Sequence, residues 1–476
     1  MSNTAQSLAG KRIASLLDES SFVEIGGLVR ARSTDFNLSG SDTPSDGVVT
    51  GYGVIDGKLV YVYSQDAAVL GGSIGEMHAR KIARIYDMAM KMGAPVIGLI
   101  DCAGLRLQEA TDALNAMGEL YLKQTLASGV IPQITAIFGN CGGGLALAAG
   151  MTDFTFMEAT KAKLFINSPN ALENNREELN DTASAAFQSA EAGIVDVTGT
   201  EEEIFDGIRT LVSMLPSNNE DVAEDECDDD LNRVCADLAN AAGDTSILLS
   251  QIADDNAFIE LKASFGKEMV IGLLRLNGQT VGAVANRTQV YDDEGKLTDE
   301  FDAVLTVEGC AKAAEFVSFC DAFQIPVLTL VKVEGFMATA ANERRIARAS
   351  SKLTYAFANA TVPKVTVVIG KAFGNAYNVM NSKAIGADYV YAWSQAQIGA
   401  MDARLAAQII YAGEDVDLNE KTAEYADLAT GALSAAARGY VDTVIEPEDT
   451  RKYVIGTFEM LYSKNEERPA KKHGTI

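Results

Sequence analysis

"VIPQITAIFGNCGGGLALAAG", residues 130–150, places three consecutive glycines between two apolar segments. The first segment is rich in β-branched residues and is typical of a strand buried on both faces, whereas the second is typical of a helix. Glycine weakens strands and helices alike, so a glycine run at this junction needs a reason. Two interpretations compete: a tight turn that lets two elements pack, or backbone N–H groups exposed to a ligand.

A second version of this stretch lies in the other half of the chain. "TVPKVTVVIGKAFGN", residues 361–375, resembles residues 130–144, so that Pro363 matches Pro132. We call the separation of these two prolines along the sequence the repeat offset. In both copies a buried strand is expected to end at a glycine-containing turn that leads into a helix. The recurrence favours a functional turn over a packing turn.

Two further pairs of segments extend the repeat. "GAPVIGLIDCAG" resembles "QIPVLTLVKVEG", and the matched Pro95 and Pro326 are again separated by the repeat offset. "IDGKLVYVYSQD" resembles "LNGQTVGAVANR", but the matched Gly57 and Gly278 are closer together than the repeat offset. The sequence therefore predicts a duplicated domain in which the second copy carries about ten extra residues between these two segments.

The elements of each half alternate between buried strands and amphipathic helices. "ARKIARIYDMAMKMG", residues 79–93, has apolar residues at helical spacing and a glycine where a C-cap belongs. Such alternation predicts an α/β fold with mainly parallel strands. We expect an N-terminal domain over residues 1–216, a C-terminal domain over residues 238–476, and an exposed acidic linker at 217–237, where eight acidic residues lie between Glu220 and Asp230.

Composition excludes several classes of protein. A net charge of −27 disfavours nucleic acid as a partner. The six cysteines form no CxxC pair, and the only histidines are His78 and His473, so we expect no metal site and no histidine-based triad. The first twenty residues are polar and show no apolar h-region, and no apolar stretch has the length of a membrane helix, so we expect a cytoplasmic protein without a secretory signal. Catalysis would then depend on backbone dipoles, carboxylates or a carried cofactor.

Taken in order, the motifs resemble one family. "LGGSIGEMHARKI", "GAPVIGLIDCAGLRLQE", "ASGVIPQITAIFGNCGGG" and "TVPKVTVVIGKAFGNAYNVMNSKAIGADYVYAW" are similar to segments of the carboxyltransferase subunits of biotin-dependent acyl-CoA carboxylases and decarboxylases. Propionyl-CoA carboxylase beta and methylmalonyl-CoA decarboxylase alpha subunits belong to this family. The resemblance implies two tandem crotonase-like (ClpP/crotonase ββα-superhelix) domains and a homo-oligomer, expected to be a hexamer, with active sites between the N-domain of one subunit and the C-domain of another.

The resemblance also implies the reaction and its partners. A carboxyl group would pass between carboxybiotin on a carrier protein and a short acyl-CoA, through a thioester enolate held by two backbone oxyanion holes. By motif match, the catalytic N–H groups are those of Gly143 and Gly144 in one hole and of Asn375 and Ala376 in the other. The implied partners are a biotin carboxyl carrier protein and either a biotin carboxylase or membrane decarboxylase subunits. Neither a metal nor nucleic acid is implied.

Further site residues follow from the same resemblance. Gly374 and Tyr377 are expected to bind the biotin cofactor. Asn378 stands where the family usually has an Asp associated with acyl-group preference, and Arg344 and Arg345 replace a glycine pair on the expected biotin side. The residues expected to bind the acyl-CoA substrate are Gly71, Gly72, Ser73, Ala103, Gly104 and Asn378.

Other polar residues near these motifs have two interpretations each. Glu76 and His78 form either an acid–base pair or part of the structure. Arg80 and Lys81 either meet CoA phosphates or lie on a solvated helix face.

Asp101 either caps a backbone turn at the end of its strand or has another role. Cys102 and Cys141 flank the proposed site without a base nearby in sequence, which disfavours a nucleophilic role.

Two alternative functions stay open at this point. One is a crotonase-type hydratase, isomerase or decarboxylase that acts on acyl-CoA without biotin. The other is a non-catalytic scaffold that has the same fold.

Overall fold

The computed structural model describes residues 3–32, 42–173, 181–292, 294–469 and 471. The chain divides into two compact units, with the boundary between Val222 and Ala223. Each unit is built on one eight-stranded mixed sheet. Two tandem units of the same α/β architecture confirm the predicted fold class.

The first unit has the strand order β1-β2-β3-β4-β5-β6-β8, and β7 pairs with β5. The β1-β2-β3 ladders are antiparallel and the others are parallel. The strands are β1 Val23–Glu24, β2 Val48–Ile55, β3 Lys58–Gln65, β4 Val96–Cys102, β5 Gln133–Gly142, β6 Phe154–Glu158, β7 Lys163–Phe165 and β8 Val197–Gly199. The helices are α1 Leu8–Leu16, α2 Glu76–Met92, α3 Ala110–Ala127, α4 Gly144–Ala149, α5 Ala185–Ala190 and α6 Glu201–Met214.

The second unit has the strand order β20-β18-β17-β15-β11-β10-β9, and β19 pairs with β17. Its strands are β9 Phe258–Leu261, β10 Met269–Leu276, β11 Gln279–Asn286, β12 Gln289–Tyr291, β13 Leu297–Glu300, β14 Val304–Leu305, β15 Val327–Val333, β16 Gly335–Phe336, β17 Lys364–Phe373, β18 Tyr389–Trp393, β19 Gln397–Gly399 and β20 Thr443–Ile445. Its helices are α7 Thr245–Ile252, α8 Val307–Ala322, α9 Ala340–Glu343, α10 Ile346–Asn359, α11 Gly374–Val379, α12 Ala403–Ile410, α13 Leu418–Tyr425, α14 Ala432–Ala437 and α15 Thr450–Leu461.

Local sequence explains the central elements. The first six residues of β5 are all buried, as expected for a strand covered on both faces. Helix α2 buries Ile82, Ile85, Tyr86 and Ala89 along one side and ends at Gly93, whose φ of 61° is left-handed. The predicted amphipathic helix and its glycine C-cap are both confirmed.

The repeat is visible element by element. The first residues of β4 and β15, and likewise those of β5 and β17, are separated by the repeat offset. The first residues of β2 and β10, and those of β3 and β11, are closer together than that offset. The extra residues fall between β11 and α8, where the second unit adds the β12–β13 hairpin. This confirms the expected insertion of about ten residues.

The acidic stretch is only partly the exposed linker that we predicted. The Asp225 N–H donates to Gly278 O at 3.0 Å, and the Thr280 N–H donates to Ala223 O at 3.0 Å. Asp229 forms ion pairs with Arg233 at 2.9 Å and with the buried Arg451 at 3.2 Å. Residues 223–237 therefore belong to the second unit, because these hydrogen bonds and ion pairs attach the acidic segment to it.

None of the described helices combines the length and the apolar character needed to cross a membrane.

Candidate active site

The turn between β5 and α4 depends on three glycines for different reasons. Gly143 has φ 62° and ψ −129°, and a Cβ built on it would meet open space. A Cβ on Gly142 would lie 2.9 Å from the Phe165 ring, and one on Gly144 would lie 2.6 Å from Tyr121 Oη. Gly142 and Gly144 thus permit close packing, whereas Gly143 provides a backbone conformation that L-residues rarely adopt and faces open space.

One donor of the predicted oxyanion pair is already engaged. The Gly143 N–H donates to Phe165 O at 2.9 Å, because the parallel β5–β7 ladder continues one residue beyond the strand. In this structure the Gly143 N–H is therefore not free for a substrate oxygen. Gly144 and Leu145 are the first two residues of α4, and N–H groups at such positions lack intrahelical acceptors. The available donors therefore start at Gly144.

The predicted substrate-binding residues of the first unit lie next to this turn. The Ala103 N–H donates to Gly71 O at 2.9 Å, and the Ile74 N–H donates to Gly104 O at 2.9 Å. Gly104 has φ 108°, and a Cβ built on it would lie 3.8 Å from the carbonyl oxygen of Gly142 in the glycine turn. The structure thus brings the segment after β3, the end of β4 and the glycine turn together.

Close packing also explains two of these residues. A Cβ on Gly72 would lie 2.2 Å from Asp101 O, which only glycine permits. Ser73 is buried, and its hydroxyl accepts a hydrogen bond from Arg106 Nε at 3.3 Å. The Ser73 side chain therefore supports the loop instead of reaching the surface.

A buried ionic network supports this loop. The Arg106 guanidinium donates to Asp46 Oδ1 at 2.5 Å, to Glu109 Oε1 at 2.8 Å and to Ser73 O at 2.7 Å. The Glu76 N–H donates to the other oxygen of Glu109 at 2.6 Å. The grouping of Arg106 with Asp46 and Glu109 was not predicted from the sequence. The signal was the "LRLQE" segment, in which an Arg and a Glu lie within a largely apolar motif.

The structural interpretation of His78 is correct. Its Nδ1 lies 2.9 Å from Asp46 O, and its Nε2 lies 3.1 Å from Gln65 Nε2. Burial, aided by the nearby Arg106, lowers the pKa of His78 to about 3. Glu76 instead pairs with Arg80 at 2.8 Å, so no Glu76–His78 acid–base pair forms. The second histidine, His473, lies outside the described residues.

Lys81 is also structural. Its Nζ donates to Ser45 O at 2.8 Å, and burial lowers the pKa of Lys81 to about 8. Lys81 therefore neither lies on a solvated helix face nor is available to CoA phosphates. Arg80 is paired with Glu76 on the exposed side of α2.

The remaining candidates at the sheet edge carry no free nucleophile. Asp101 forms an ion pair with Arg12 at 3.2 Å. Cys102 and Cys141 are buried, burial raises the pKa of Cys102 to about 11, and burial raises that of Cys141 further. Both thiols stay protonated near neutral pH, which agrees with the prediction that neither is a nucleophile.

The turn of the second unit repeats one feature of the first. Gly374 has φ 60° and follows β17 as Gly143 follows β5, and the repeat offset separates the two glycines. A Cβ on Gly374 would lie 3.3 Å from Ala400 O. Asn375 and Ala376 follow in the first turn of α11, where N–H groups lack intrahelical acceptors.

A cleft of about 550 Å³ opens beside this turn, and we call it the α11 cleft. Tyr377 is 8% exposed, its hydroxyl has no hydrogen-bond partner among the described residues, and burial raises the pKa of Tyr377 to about 12. Asn378 Oδ1 accepts a hydrogen bond from Ser382 Oγ at 3.0 Å. The cleft is lined by Gly374, Asn375, Tyr377, Asn378, Ile398, Gly399, Ala400, Ala429, Ala435, Arg438 and Tyr440.

Most of the predicted residues of the second unit thus share one site. Gly374, Asn375, Tyr377 and Asn378 line the cleft, whereas Ala376 is buried in the same helix. Arg344 and Arg345 are exposed between α9 and α10 and are not among the residues that line it.

Within the described ranges, no group of three or more His, Cys, Asp or Glu residues is arranged to bind a metal ion.

Comparisons with known proteins identify the family. The carboxyl transferase domain family matches residues 3–476. The methylmalonyl-CoA decarboxylase subunit alpha of Propionigenium modestum is 39% identical, over 98% of this chain and 92% of that protein. The propionyl-CoA carboxylase beta chain of Roseobacter denitrificans is 39% identical, over 98% of this chain and 93% of that protein.

A solved structure agrees with these relatives. Transcarboxylase 12S, described as a hexamer with methylmalonyl-coenzyme A and methylmalonic acid bound, matches with a TM-score of 0.91 and 36% identity, over 98% of this chain and 92% of that one. The chain therefore belongs to the carboxyl transferase family. The predicted resemblance and the predicted enzyme class, an acyl-CoA carboxyltransferase, are confirmed.

Proposed function

We propose that the chain transfers a carboxyl group between biotin on a carrier protein and a short acyl-CoA, with the first unit binding the thioester and the second facing biotin. The observation that carries the proposal is the pair of turns at Gly143 and Gly374. Both have positive φ, both follow a central strand, and both lead directly into a short helix. Transcarboxylase 12S, which binds methylmalonyl-coenzyme A, supports a substrate of this kind.

In the first unit, the thioester oxygen would be held by backbone donors. Removal of the α-proton places negative charge on that oxygen, and aligned N–H groups stabilise it. We assign the Gly144 N–H and its neighbour at Leu145 to this role, because the Gly143 N–H is bound to Phe165 O. Gly71, Gly72, Ala103 and Gly104, which lie beside the turn, would contact the acyl chain.

In the second unit, Asn375 and Ala376 would supply the equivalent donors, facing the ureido oxygen of biotin. The α11 cleft fits a polar planar group, because the buried Tyr377 hydroxyl has no partner within the described residues and stays protonated near neutral pH. Biotin, when bound, supplies both the carboxyl carrier and the base. No base is therefore needed from His78, which is buried and neutral.

Assembly would complete the site. Transcarboxylase 12S forms a hexamer, and we propose that this chain also forms a hexamer, in which the first unit of one copy meets the second unit of another. The biotin carrier protein and either a biotin carboxylase or a membrane decarboxylase would then be its partners. The relatives include both carboxylase and decarboxylase subunits at 39% identity, so both directions of transfer are compatible with the proposal.

The test compares decarboxylation of methylmalonyl-CoA by the wild type, Gly143→Val and Gly374→Val, with and without free biotin. Loss of one oxyanion donor typically slows catalysis by about 10²–10³, and we expect each variant to lose activity on this scale because the turn leaves its required φ. Gly57→Val is the matched control, because Gly57 has φ 78° and faces open space in the β2–β3 hairpin. We expect this control to lose stability but retain its rate.

The outcomes separate the candidate functions. Biotin-dependent turnover that is lost in both turn variants supports the proposal. Turnover by the wild type without biotin would indicate a biotin-independent crotonase-type enzyme, and no turnover with any acyl-CoA would indicate a scaffold. Folded turn variants that work at the wild-type rate would show that the glycines only form packing turns.

A further inference from the structure

The α11 cleft has an electrostatic character opposite to that of the chain as a whole. The protein has 66 acidic and 39 basic residues and a net charge of −27. Among the described residues that line the cleft, Arg438 is the only charged one, and no Asp or Glu is present. A cationic cleft in such an acidic protein favours an anionic ligand locally.

Arg438 has unused hydrogen-bonding capacity. Its guanidinium donates to Leu428 O at 3.0 Å and to Ser434 Oγ, and it forms no ion pair within the described parts of the chain. A guanidinium has five N–H donors in a planar fork, which matches a carboxylate. The two bonds orient Arg438 at the end of α14 and leave the remaining donors for a ligand.

The buried Tyr377 is a second, independent indication of a ligand. Tyr377 lines the same cleft and is 8% exposed, and its buried hydroxyl lacks a partner among the described residues. A buried hydroxyl without a hydrogen-bond partner is costly, so a ligand oxygen that accepts a hydrogen bond from it would be stabilising. Asn378, next in the chain, is neutral, so it does not repel an anion as an Asp would.

We infer that Arg438 and Tyr377 recognise the carboxylate of the group that is transferred, and that Arg438 is a specificity-determining residue for carboxylated over uncarboxylated substrates. The inference rests on the proposed function and names the chemistry of the same site. The carboxylate reaches the cleft either on a carboxylated acyl-CoA or on biotin. Both sources present one planar carboxylate to the guanidinium, and a hydroxyl donor adds a third hydrogen bond.

The first arm of the experiment measures binding, without turnover. Equilibrium binding of methylmalonyl-CoA and of propionyl-CoA, which lacks the carboxylate, is compared in the full-length wild type, Arg438→Gln and Tyr377→Phe. We expect Arg438→Gln to weaken methylmalonyl-CoA binding about 10- to 100-fold and to change propionyl-CoA binding less than about twofold. Tyr377→Phe should show the same selectivity with a smaller loss.

The second arm measures carboxyl transfer from methylmalonyl-CoA to free biotin, followed as propionyl-CoA release. If Arg438 meets the carboxylate only on biotin, both acyl-CoA affinities stay at wild-type values in Arg438→Gln. Transfer to biotin then falls about tenfold or more. This pattern supports the inference with biotin as the source, whereas selective loss of methylmalonyl-CoA binding supports it with acyl-CoA as the source.

Two controls isolate the guanidinium. Arg404→Gln removes the same charge from an exposed arginine of α12 that does not line the cleft, and Ser434→Ala removes a bond that orients Arg438 without changing charge. If Arg438→Gln is folded and matches the wild type in both arms, or if Arg404→Gln reproduces its effect, the inference is wrong. A wild type that neither binds acyl-CoA nor shows biotin-dependent turnover would instead overturn the proposed function.

Discussion

The turn after β5 and the turn after β17 occupy equivalent places in the two halves of the chain, yet they share little beyond a glycine with positive φ. The first is Gly142-Gly143-Gly144, and the second is Phe373-Gly374-Asn375. Their central glycines have φ values of 62° and 60°. The repeated requirement is therefore a positive φ at one residue, and the extra glycines of the first turn only accommodate its own neighbours, Phe165 and Tyr121.

The surroundings of the two turns differ more than the turns themselves. The first unit buries Arg106 between Asp46 and Glu109, beside the loop that adjoins its turn. By the repeat offset, the counterparts of Arg106 and Glu109 in the second unit are Met337 and Ala340. The arginine at the site of the second unit is Arg438, which lines an open cleft. The arginine of the first unit thus supports the fold from within, whereas the arginine of the second unit lines a cleft and forms no ion pair within the described residues.

The largest expected change in the free energy of unfolding comes from replacing Arg106 of the first unit by methionine, the residue at the equivalent position of the second unit. Arg106→Met leaves Asp46 and Glu109 buried without their cation, and breaking a buried ion pair in this way typically costs about 3–5 kcal/mol. Urea unfolding followed by circular dichroism measures the loss. The same substitution at the exposed Arg84 of α2 should change the free energy of unfolding by less than about 0.5 kcal/mol. Equal effects at the two positions would contradict a supporting role for the network.

A change of intermediate size in the free energy of unfolding is expected at two carboxylates, each of which accepts a hydrogen bond from the first residue of a central strand. Asp153 Oδ2 accepts the Gln133 N–H at 2.8 Å, and Asp388 Oδ2 accepts the Lys364 N–H at 2.8 Å. Asp388 also pairs with Lys464 at 2.8 Å. Burial raises the pKa of Asp153 to about 7.

Because the folded-state pKa of Asp153 lies above its unfolded value, the stability it contributes is lost as pH rises toward 7. As the pH is raised from 5 to 8, we expect the free energy of unfolding of Asp153→Asn to increase by about 2 kcal/mol relative to that of the wild type. Urea unfolding at the two pH values measures this difference. Asp388→Asn, which removes one of the two ion-pair partners of Lys464 within the described residues, should instead lower stability. A wild-type to Asp153→Asn difference that does not depend on pH would contradict the raised pKa.

The smallest expected changes in the free energy of unfolding are at two alanines that occupy equivalent positions in the two units. Ala110 follows the network residue Glu109 with φ 47° and ψ −122°, a conformation that disfavours a Cβ. Its counterpart by the repeat offset, Ala341, lies inside helix α9. We expect Ala110→Gly to raise the free energy of unfolding by about 1 kcal/mol and Ala341→Gly to lower it by about 0.5–1 kcal/mol. Thermal unfolding of the two variants checks the opposite signs, and a loss at both positions would show that Ala110 is not strained.

Much of the fold could be predicted because its signals are local. Helix α2 follows from apolar residues at helical spacing and a glycine C-cap, and β5 follows from a continuous β-branched run. The two glycine turns were found from the sequence pattern, whereas the individual candidate residues near Gly143 and in the α11 cleft came from the resemblance to the family. Residues that act through distant partners were missed, among them Asp46, which is 60 residues from Arg106 in sequence.

The sequence by itself determined the duplication, the alternation of strands and helices and the two turns, because periodicity and the conformational range of glycine act over a few residues. The family followed from the resemblance of its motifs. Only the tertiary structure decided that the Gly143 N–H binds Phe165 O, that the acidic stretch attaches to the second unit, and that Arg438 and Tyr377 share a cleft. In each case the outcome depends on which distant groups meet and on how far water is excluded from them. Hydrogen bonding and the electrostatic free energy of a buried group are set by those contacts, and no local pattern encodes them.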